Sequence, residues 1–326
     1  MSKKLWIGLV GAAVVVSVAV GLFTRRVAVP VATPMPTITI GYRNHDLYAP
    51  LFVGMEQKIF EKHNVAVKAV PFASTNQITD ALLAHTIDAA LGGVNTPLLM
   101  SIEDKSPGEL KLFTLVKETQ AVPVSFLLVP KNSTATSLGD LKNKKIGLYP
   151  GSTAKLVYRK MLDHAGLSAA DITTVELKPE LELPALQAGQ VDAVIVLQPL
   201  ATIATEKGVA SIIDQGLFAK YFMPDVPVAG SVVSGKFVRE NPEAVKNLVA
   251  ATDEAIQFIN SHHAETATIS AHYTGLEVSL INKTLISRFY TLAEIQPADL
   301  QKLSDFLLIE HELKKSVDVA SMLLSF

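Results

Sequence analysis

Lys144–Gly166, KKIGLYPGSTAKLVYRKMLDHAG, reads as a short buried strand that turns sharply into a helix. Ile146-Gly147-Leu148-Tyr149 is the apolar run, and Pro150-Gly151 breaks it. Ser152 or Thr153 then suits the N-cap of a helix with Leu156, Met161 and Leu162 on its inner side. A helix that starts at the end of a parallel strand presents free backbone N–H groups and the positive end of its dipole. Together with the two hydroxyls, these favour an anionic or strongly accepting group at that spot. A capped βα turn with nothing bound is the plainer reading of the same residues, so the surrounding chain has to decide between them.

Outward from this stretch the same order of elements occurs twice. Upstream, Thr37–Tyr42 is a strand, Arg43–Tyr48 a polar loop and Ala49–Lys62 a helix with Pro50 in its first turn. Val65–Phe72 is the next strand. Ser74-Thr75-Asn76 caps a helix whose Ile78, Ala81, Leu82 and His85 share one face, with His85 expected to pack partly buried. Ile87–Leu91 follows as a strand ending in Gly92-Gly93-Val94-Asn95-Thr96-Pro97. Downstream, the matching order is strand Lys145–Tyr149, helix Thr153–His164, strand Thr173–Leu177, helix Leu181–Ala188 and strand Val191–Leu197. ALLAHTIDAA at Ala81–Ala90 and ALQAGQVDAV at Ala185–Val194 share their first Ala, Leu, second Ala, Asp and third Ala. Ile40-Gly41 and Ile146-Gly147 recur at nearly the same offset, so the agreement extends beyond one helix-to-strand turn.

Strands separated by single helices imply right-handed βαβ crossovers, with ligands at the carboxyl ends of the strands. The expected fold class is therefore α/β with two lobes, mainly parallel sheets, a hinge and an interlobe cleft. Lys111–Val116 and Val122–Val129 carry the chain into the second lobe and Val228–Val233 carries it back. Helices from Asn241-Pro242 to about Asn260 and over Ala293–Leu308 pad the first lobe. The expected division is 37–122 with 228–326 as the first lobe and 123–227 as the second.

Composition narrows the function. With 326 residues, 49% hydrophobic and 18% charged, the chain can bury two lobes. A net charge of −2 and the lack of any basic patch with interleaved aromatics argue against a nucleic-acid partner. There is no cysteine, so disulfides, thiolate metal sites, cysteine nucleophiles and a lipid-modified N-terminal cysteine are excluded. Basic Met1–Lys4, an unbroken apolar run from Leu5 to Phe23 and then Arg25-Arg26 have the grammar of export or anchoring. Residues 1–26 are read as a signal peptide or membrane anchor, with Ser17-x-Ala19 as a cleavage site and an uncleaved anchor slightly favoured. Val27–Pro36 is an extended spacer of roughly 30 Å. The remainder is expected in the periplasm or outside the cytoplasm, tethered to the inner membrane by residues 5–23 if the segment is kept.

The chain resembles the substrate-binding proteins of ABC importers, in the branch serving nitrate, alkanesulfonates, taurine and thiamine-pyrimidine precursors. APLFVGMEQKIFEKHNVAV, ALLAHTIDAALGGVNTP, SLGDLKNKKIGLYPGSTAKLVYRKMLDHAGL, ALQAGQVDAVIVLQP and FVRENPEAVKNLVAATDEAIQFI carry the resemblance from Thr37 to about Ile259. It implies a periplasmic-binding-protein-like fold, a monomer that captures a small polar or anionic ligand between its lobes, and an ABC permease in the inner membrane as partner. It implies a ligand site built from Tyr48, Ser74, Thr75, Asn95 and Thr96 of the first lobe. Gly151, Ser152, Thr153 and Gln198 would come from the second. Each has a plainer structural role as cap, turn former or packing group. Gln198 stands where the family usually has an acidic residue before the proline, which weakens the case for a cationic ligand.

Two other classes remain open. Enzymes use this architecture, yet catalysis there needs cysteines and histidines, and an adjacent His45-Asp46 pair cannot readily aim both side chains at one substrate. No cofactor and no metal are expected: His262-His263 point about 100° apart on a helix, and with His272 read better as a solvated helix end. An anchored sensor acting through a partner is the second alternative, since Met1–Lys4 is too short for an output domain.

Overall fold

The computed structural model describes residues 35–284 and 288–326. The apolar run Leu5–Phe23 and most of the spacer lie outside the described residues. Among the described residues, no helix is long and apolar enough to cross a membrane.

Among the described residues twelve strands follow the chain: β1 Thr37–Tyr42, β2 Ala66–Pro71, β3 Ala89–Asn95, β4 Leu110–Leu112, β5 Leu115–Glu118, β6 Ser125–Pro130, β7 Lys145–Leu148, β8 Thr173–Glu176, β9 Ala193–Leu197, β10 Ala210–Gln215, β11 Val226–Ser234 and β12 Phe289–Tyr290. They form two sheets, ordered β12-β5-β11-β3-β1-β2 with β4 beside β11, and β10-β6-β9-β7-β8. The repeat is visible in the pairing. β1 pairs parallel with β2 and β3, and β7 pairs parallel with β8 and β9. Each parallel trio is then flanked by an antiparallel strand that enters just after the chain has crossed from the other sheet, β11 on β3 and β6 on β9. The expectation of mainly parallel sheets thus holds for the βαβ strands and is amended at the strands that follow a crossing, which must enter in the opposite sense. β10, unforeseen in the sequence, extends the second sheet antiparallel to β6.

The matched Asp residues of the repeat explain why that pattern persists. Asp88 Oδ2 accepts a hydrogen bond from Thr39 N–H at 2.8 Å, and Asp192 Oδ2 accepts one from Lys145 N–H at 2.8 Å. In each sheet the carboxylate satisfies an N–H near the start of the central strand that no ladder partner reaches. Ile38 and Ile40 of β1 and Ile146 of β7 are fully buried beneath their helices.

Local departures from the sequence expectation have visible causes. The helix expected over Ala49–Lys62 is two, Ala49–Glu56 and Ile59–Lys62, broken at Lys58, whose φ is 53°. The break lets Phe60 fold back on Gly54, where a Cβ would stand 2.4 Å from the ring. The helix with Ile78 ends at Leu83, so His85 is exposed at φ 55° with Nδ1 3.3 Å from Ser234 Oγ. At the βα turn, Gly151 with φ 124° holds the cap position of helix Ser152–Ala165, and no side chain caps it. Ser152 and Thr153 are its first residues instead.

Candidate functional site

The carboxyl ends of the four inner parallel strands converge. The loop Arg43–Tyr48 after β1, Gly93 and Asn95 of β3, Tyr149 after β7, and Leu197 and Gln198 at the end of β9 line one cavity of about 120 Å³. Val124, Phe218, Val228 and Ala229, on or near the segments that link the sheets, and Thr75 and Thr284 complete its wall. Residues from both sheets therefore line one concave space, which is where an open α/β sheet collects ligands.

Gly92 and Gly93 let the loop approach β3. A Cβ at Gly92 would lie 1.8 Å from the Leu47 carbonyl oxygen, and one at Gly93 would lie 2.3 Å from the Tyr48 ring. Beneath them, Gly92 N–H donates to Ser231 Oγ at 2.8 Å, and the Thr114 hydroxyl donates to the same oxygen at 2.6 Å. Tyr48 is consequently held against β3 with 1% of its surface exposed, and its hydroxyl makes no well-formed hydrogen bond. Burial pushes its phenol up to about 12, opposed by the Arg43 charge and the Thr75 hydroxyl beside it. The Tyr149 hydroxyl is also buried and without a partner. Burial raises its pKa, and the charges of Glu118 and Glu182 push the same way. Two neutral phenol hydroxyls therefore border the cavity without a well-formed hydrogen bond, Tyr48 with only the Thr75 hydroxyl near it, a costly arrangement for protein alone.

Two further polar residues of the wall are partly committed. Asn95 Oδ1 accepts from Leu98 N–H at 3.0 Å, capping helix Thr96–Lys105. Gln198 Oε1 accepts from the Thr202 hydroxyl at 3.0 Å. Each side chain keeps its amide nitrogen for another partner. His45 Nε2 lies 2.9 Å from the Gln198 carbonyl oxygen, while His45 Nδ1 accepts from Leu47 N–H at 3.1 Å.

Behind the cavity, Glu118 pins the crossing. Its carboxylate accepts from Val124 N–H at 2.8 Å, Ser125 N–H at 2.7 Å and Ala219 N–H at 2.9 Å, as well as from the Ser125 hydroxyl. Burial nevertheless outweighs these bonds and raises its pKa. One side chain thus gathers the end of β5, the start of β6 and helix Leu217–Tyr221 at the point where the chain passes between sheets.

Of the residues singled out in the sequence, the structure brings Tyr48, Thr75, Asn95 and Gln198 together on the cavity wall. Ser74 caps its helix by accepting from Gln77 N–H at 3.2 Å, and the Thr96 hydroxyl is buried without a partner; neither lines the cavity. Gly151 is also absent from that wall, and Ser152 and Thr153 border a separate narrow crevice with Pro97, Ser101, Leu307 and Glu312. Arg43, Tyr149 and Phe218 were not anticipated. Position alone marked the first two, each directly following a central parallel strand, whereas Phe218 reaches the site through a helix of five residues that periodicity cannot reveal.

Comparison with known proteins gives a consistent picture. A Bacillus subtilis protein provisionally named an aliphatic sulfonates-binding protein is 27% identical over 280 residues, covering 83% of this chain and 81% of its own length. The periplasmic aliphatic sulphonate binding protein SsuA from Escherichia coli superposes with a TM-score of 0.72 at 19% identity, over 90% of this chain and 93% of its own. The periplasmic nitrate-binding protein NrtA from Synechocystis PCC 6803 superposes with a TM-score of 0.69 at 17% identity, over 88% and 85%. The fold is that of the periplasmic binding proteins, as the resemblance implied. The NMT1-like family model matches residues 32–273, about three quarters of the sequence, and the chain belongs to that family.

Proposed function

We propose that this protein is an extracytoplasmic solute-binding protein that captures a small polar or anionic molecule in the cavity and delivers it to an ABC importer. The observation that carries the reading is the pair of buried, unpartnered hydroxyls of Tyr48 and Tyr149, supplied by the loops after β1 and β7. The sulfonate- and nitrate-binding names of the relatives support the ligand class. In this reading 37–122 with 228–326 is one lobe, 123–227 is the other, and the hinge lies at Glu118. Tyr48, Thr75, Asn95 and Gln198 hold the ligand together with Tyr149. A part for Ser74, Thr96 or Gly151-Ser152-Thr153 would require a ligand that extends past the cavity. A small molecule needs about 8 kcal/mol for micromolar binding, and hydrogen bonds to a charged group contribute about 1.5–3 kcal/mol each. Three or four such bonds from these residues are enough. Native mass spectrometry of the purified protein tests the reading: a small molecule should co-purify and be lost on denaturation. Protein that carries none, and shows no thermal shift with nitrate, alkanesulfonates or aminoalkylsulfonates, would overturn it.

A further inference from the structure

We infer that Ser231 and Thr114, two buried hydroxyl residues beneath the cavity and not on its wall, are positioning residues for ligand binding: they set the Gly92-Gly93 turn and, through it, the place of the Tyr48 hydroxyl. The inference rests on the binding role proposed above and adds the residues that hold the site in register.

Ser231 stands where the ladder of its sheet is interrupted on both sides. Toward β3, the pairs Gly230 with Val94 and Val232 with Ala90 leave Leu91, Gly92 and Gly93 facing Ser231 alone. β3 must therefore bow out of the ladder, and Gly92 and Gly93 make the bow at φ 93° and 50°. On the other side β4 ends at Leu112 and β5 starts at Leu115, so Phe113 and Thr114 fall between strands.

Hydroxyls take the place of the missing ladder bonds. Ser231 N–H donates to Thr114 Oγ1 at 2.8 Å, and the Thr114 hydroxyl donates to Ser231 Oγ at 2.6 Å. Ser231 Oγ in turn accepts from Gly92 N–H at 2.8 Å. Both residues are 0% exposed, so each of these N–H groups depends on a protein oxygen. A Gly-Gly turn has no side chains of its own to hold it in the left-handed region, and these bonds supply that restraint.

The turn in its place decides where Tyr48 lies. A Cβ at Gly93 would stand 2.3 Å from the Tyr48 ring and 2.8 Å from its hydroxyl oxygen, so the turn flanks the hydroxyl end of the ring. Ser231 also shares β11 with Val228 and Ala229, which line the cavity. One residue thus fixes the spacing between the β11 part of the wall and the Tyr48 part. A merely structural pair would support the sheet without reaching the ligand, and the two roles differ in whether Tyr48 is needed for the effect.

The test is isothermal titration of the full-length protein with whichever of nitrate, ethanesulfonate and 2-aminoethanesulfonate binds most tightly. Ser231→Ala, Thr114→Val and Thr114→Ser are compared, each with and without Tyr48→Phe. Ser231→Ala and Thr114→Val should weaken binding about tenfold, the effect of one hydrogen bond to a charged group. Thr114→Ser, which keeps the hydroxyl, should bind within about twofold of the parent, and Ser231→Ala should cost less than about twofold once Tyr48→Phe has removed the phenol hydroxyl. NMR of the ligand-free protein with labelled tyrosines gives a second readout. The Tyr48 ring signal, assigned by its loss in Tyr48→Phe, should move in Ser231→Ala and Thr114→Val and return in Thr114→Ser. Circular dichroism of each variant confirms that it is folded. A lower Tm with unchanged affinity and an unmoved Tyr48 signal would overturn the positioning role, as would an equal affinity loss in the Tyr48→Phe background; either result leaves the solute-binding reading in place. Failure of every probe, with nothing co-purified, would overturn both.

Discussion

The imidazole of His45, on the loop after β1, meets the backbone carbonyl of Gln198, at the end of β9, with Nε2 2.9 Å from the oxygen. This bond joins the strand-end segments of the two sheets between two residues that line the cavity. His45→Ala should remove it and the Leu47 bond together, lowering stability by about 1–2 kcal/mol. A ligand held behind this contact should also leave faster, by roughly fivefold or more. Urea denaturation and stopped-flow release of the identified ligand measure the two effects; an unchanged release rate would mean that the contact does not gate the site.

A second prediction concerns pH. Glu182 is 2% exposed and its Oε1 has no partner, and burial, aided by the Glu180 charge, raises its pKa to about 8. A raised carboxyl pKa means that the folded state holds its proton where the unfolded chain has lost it. Stability from this group is therefore intact below the ordinary Glu range and declines as pH rises toward about 8. Asp253, raised to about 6 by burial and the Glu294 charge, acts in the same sense over a lower window. Glu182→Gln should bring a larger gain in Tm at pH near 8 than at pH near 5, seen by differential scanning calorimetry. A gain equal at both would show that Glu182 titrates normally.

The repeated carboxylate bonds differ in exposure, and their removal should differ accordingly. The Asp88 bond to Thr39 is partly buried, whereas the Asp192 bond to Lys145 is exposed. Asp88→Ala should cost about 1–2 kcal/mol, and Asp192→Ala about half that or less, in chemical denaturation.

Gly93→Ala tests the clamp on Tyr48. The new Cβ would sit 2.3 Å from the ring at a backbone φ of 50°, so Tyr48 must move. Stability should fall by about 1–3 kcal/mol and ligand affinity by more than tenfold. Full affinity in a destabilised but folded variant would remove Tyr48 from the site.

Much of this architecture could be read in the chain because each repeat carries its own local logic. Ile40-Gly41 and Ile146-Gly147 mark central strands, and the matched Asp88 and Asp192 have one backbone task, so both survive as a visible signature. β10 was hidden because Ala210–Gln215 alternates weakly, with Ile212 at 38% exposure, and its pairing with β6 spans some eighty positions of sequence. The site was legible where residues stand at the start of a helix that follows a strand, as Thr75, Asn95 and Gln198 do. Ser152 and Thr153 share that chemistry, yet Gly151 at φ 124° starts their helix along a different crevice. Nothing in residue type or spacing foretells such a turn of direction. Tyr149 escaped notice for the opposite reason: it looks like the last apolar residue of a strand, and only its buried, unpaired hydroxyl marks it out.

Hydrogen-exchange mass spectrometry with and without the small molecule that raises Tm most tests the central claim directly. Ligand should protect Arg43–Tyr48 and Gly93–Asn95 on one sheet and Tyr149 with Leu197-Gln198 on the other, simultaneously and at one concentration midpoint. Protection confined to one sheet, or to the first turn of the helix at Ser152, would contradict a ligand held between them.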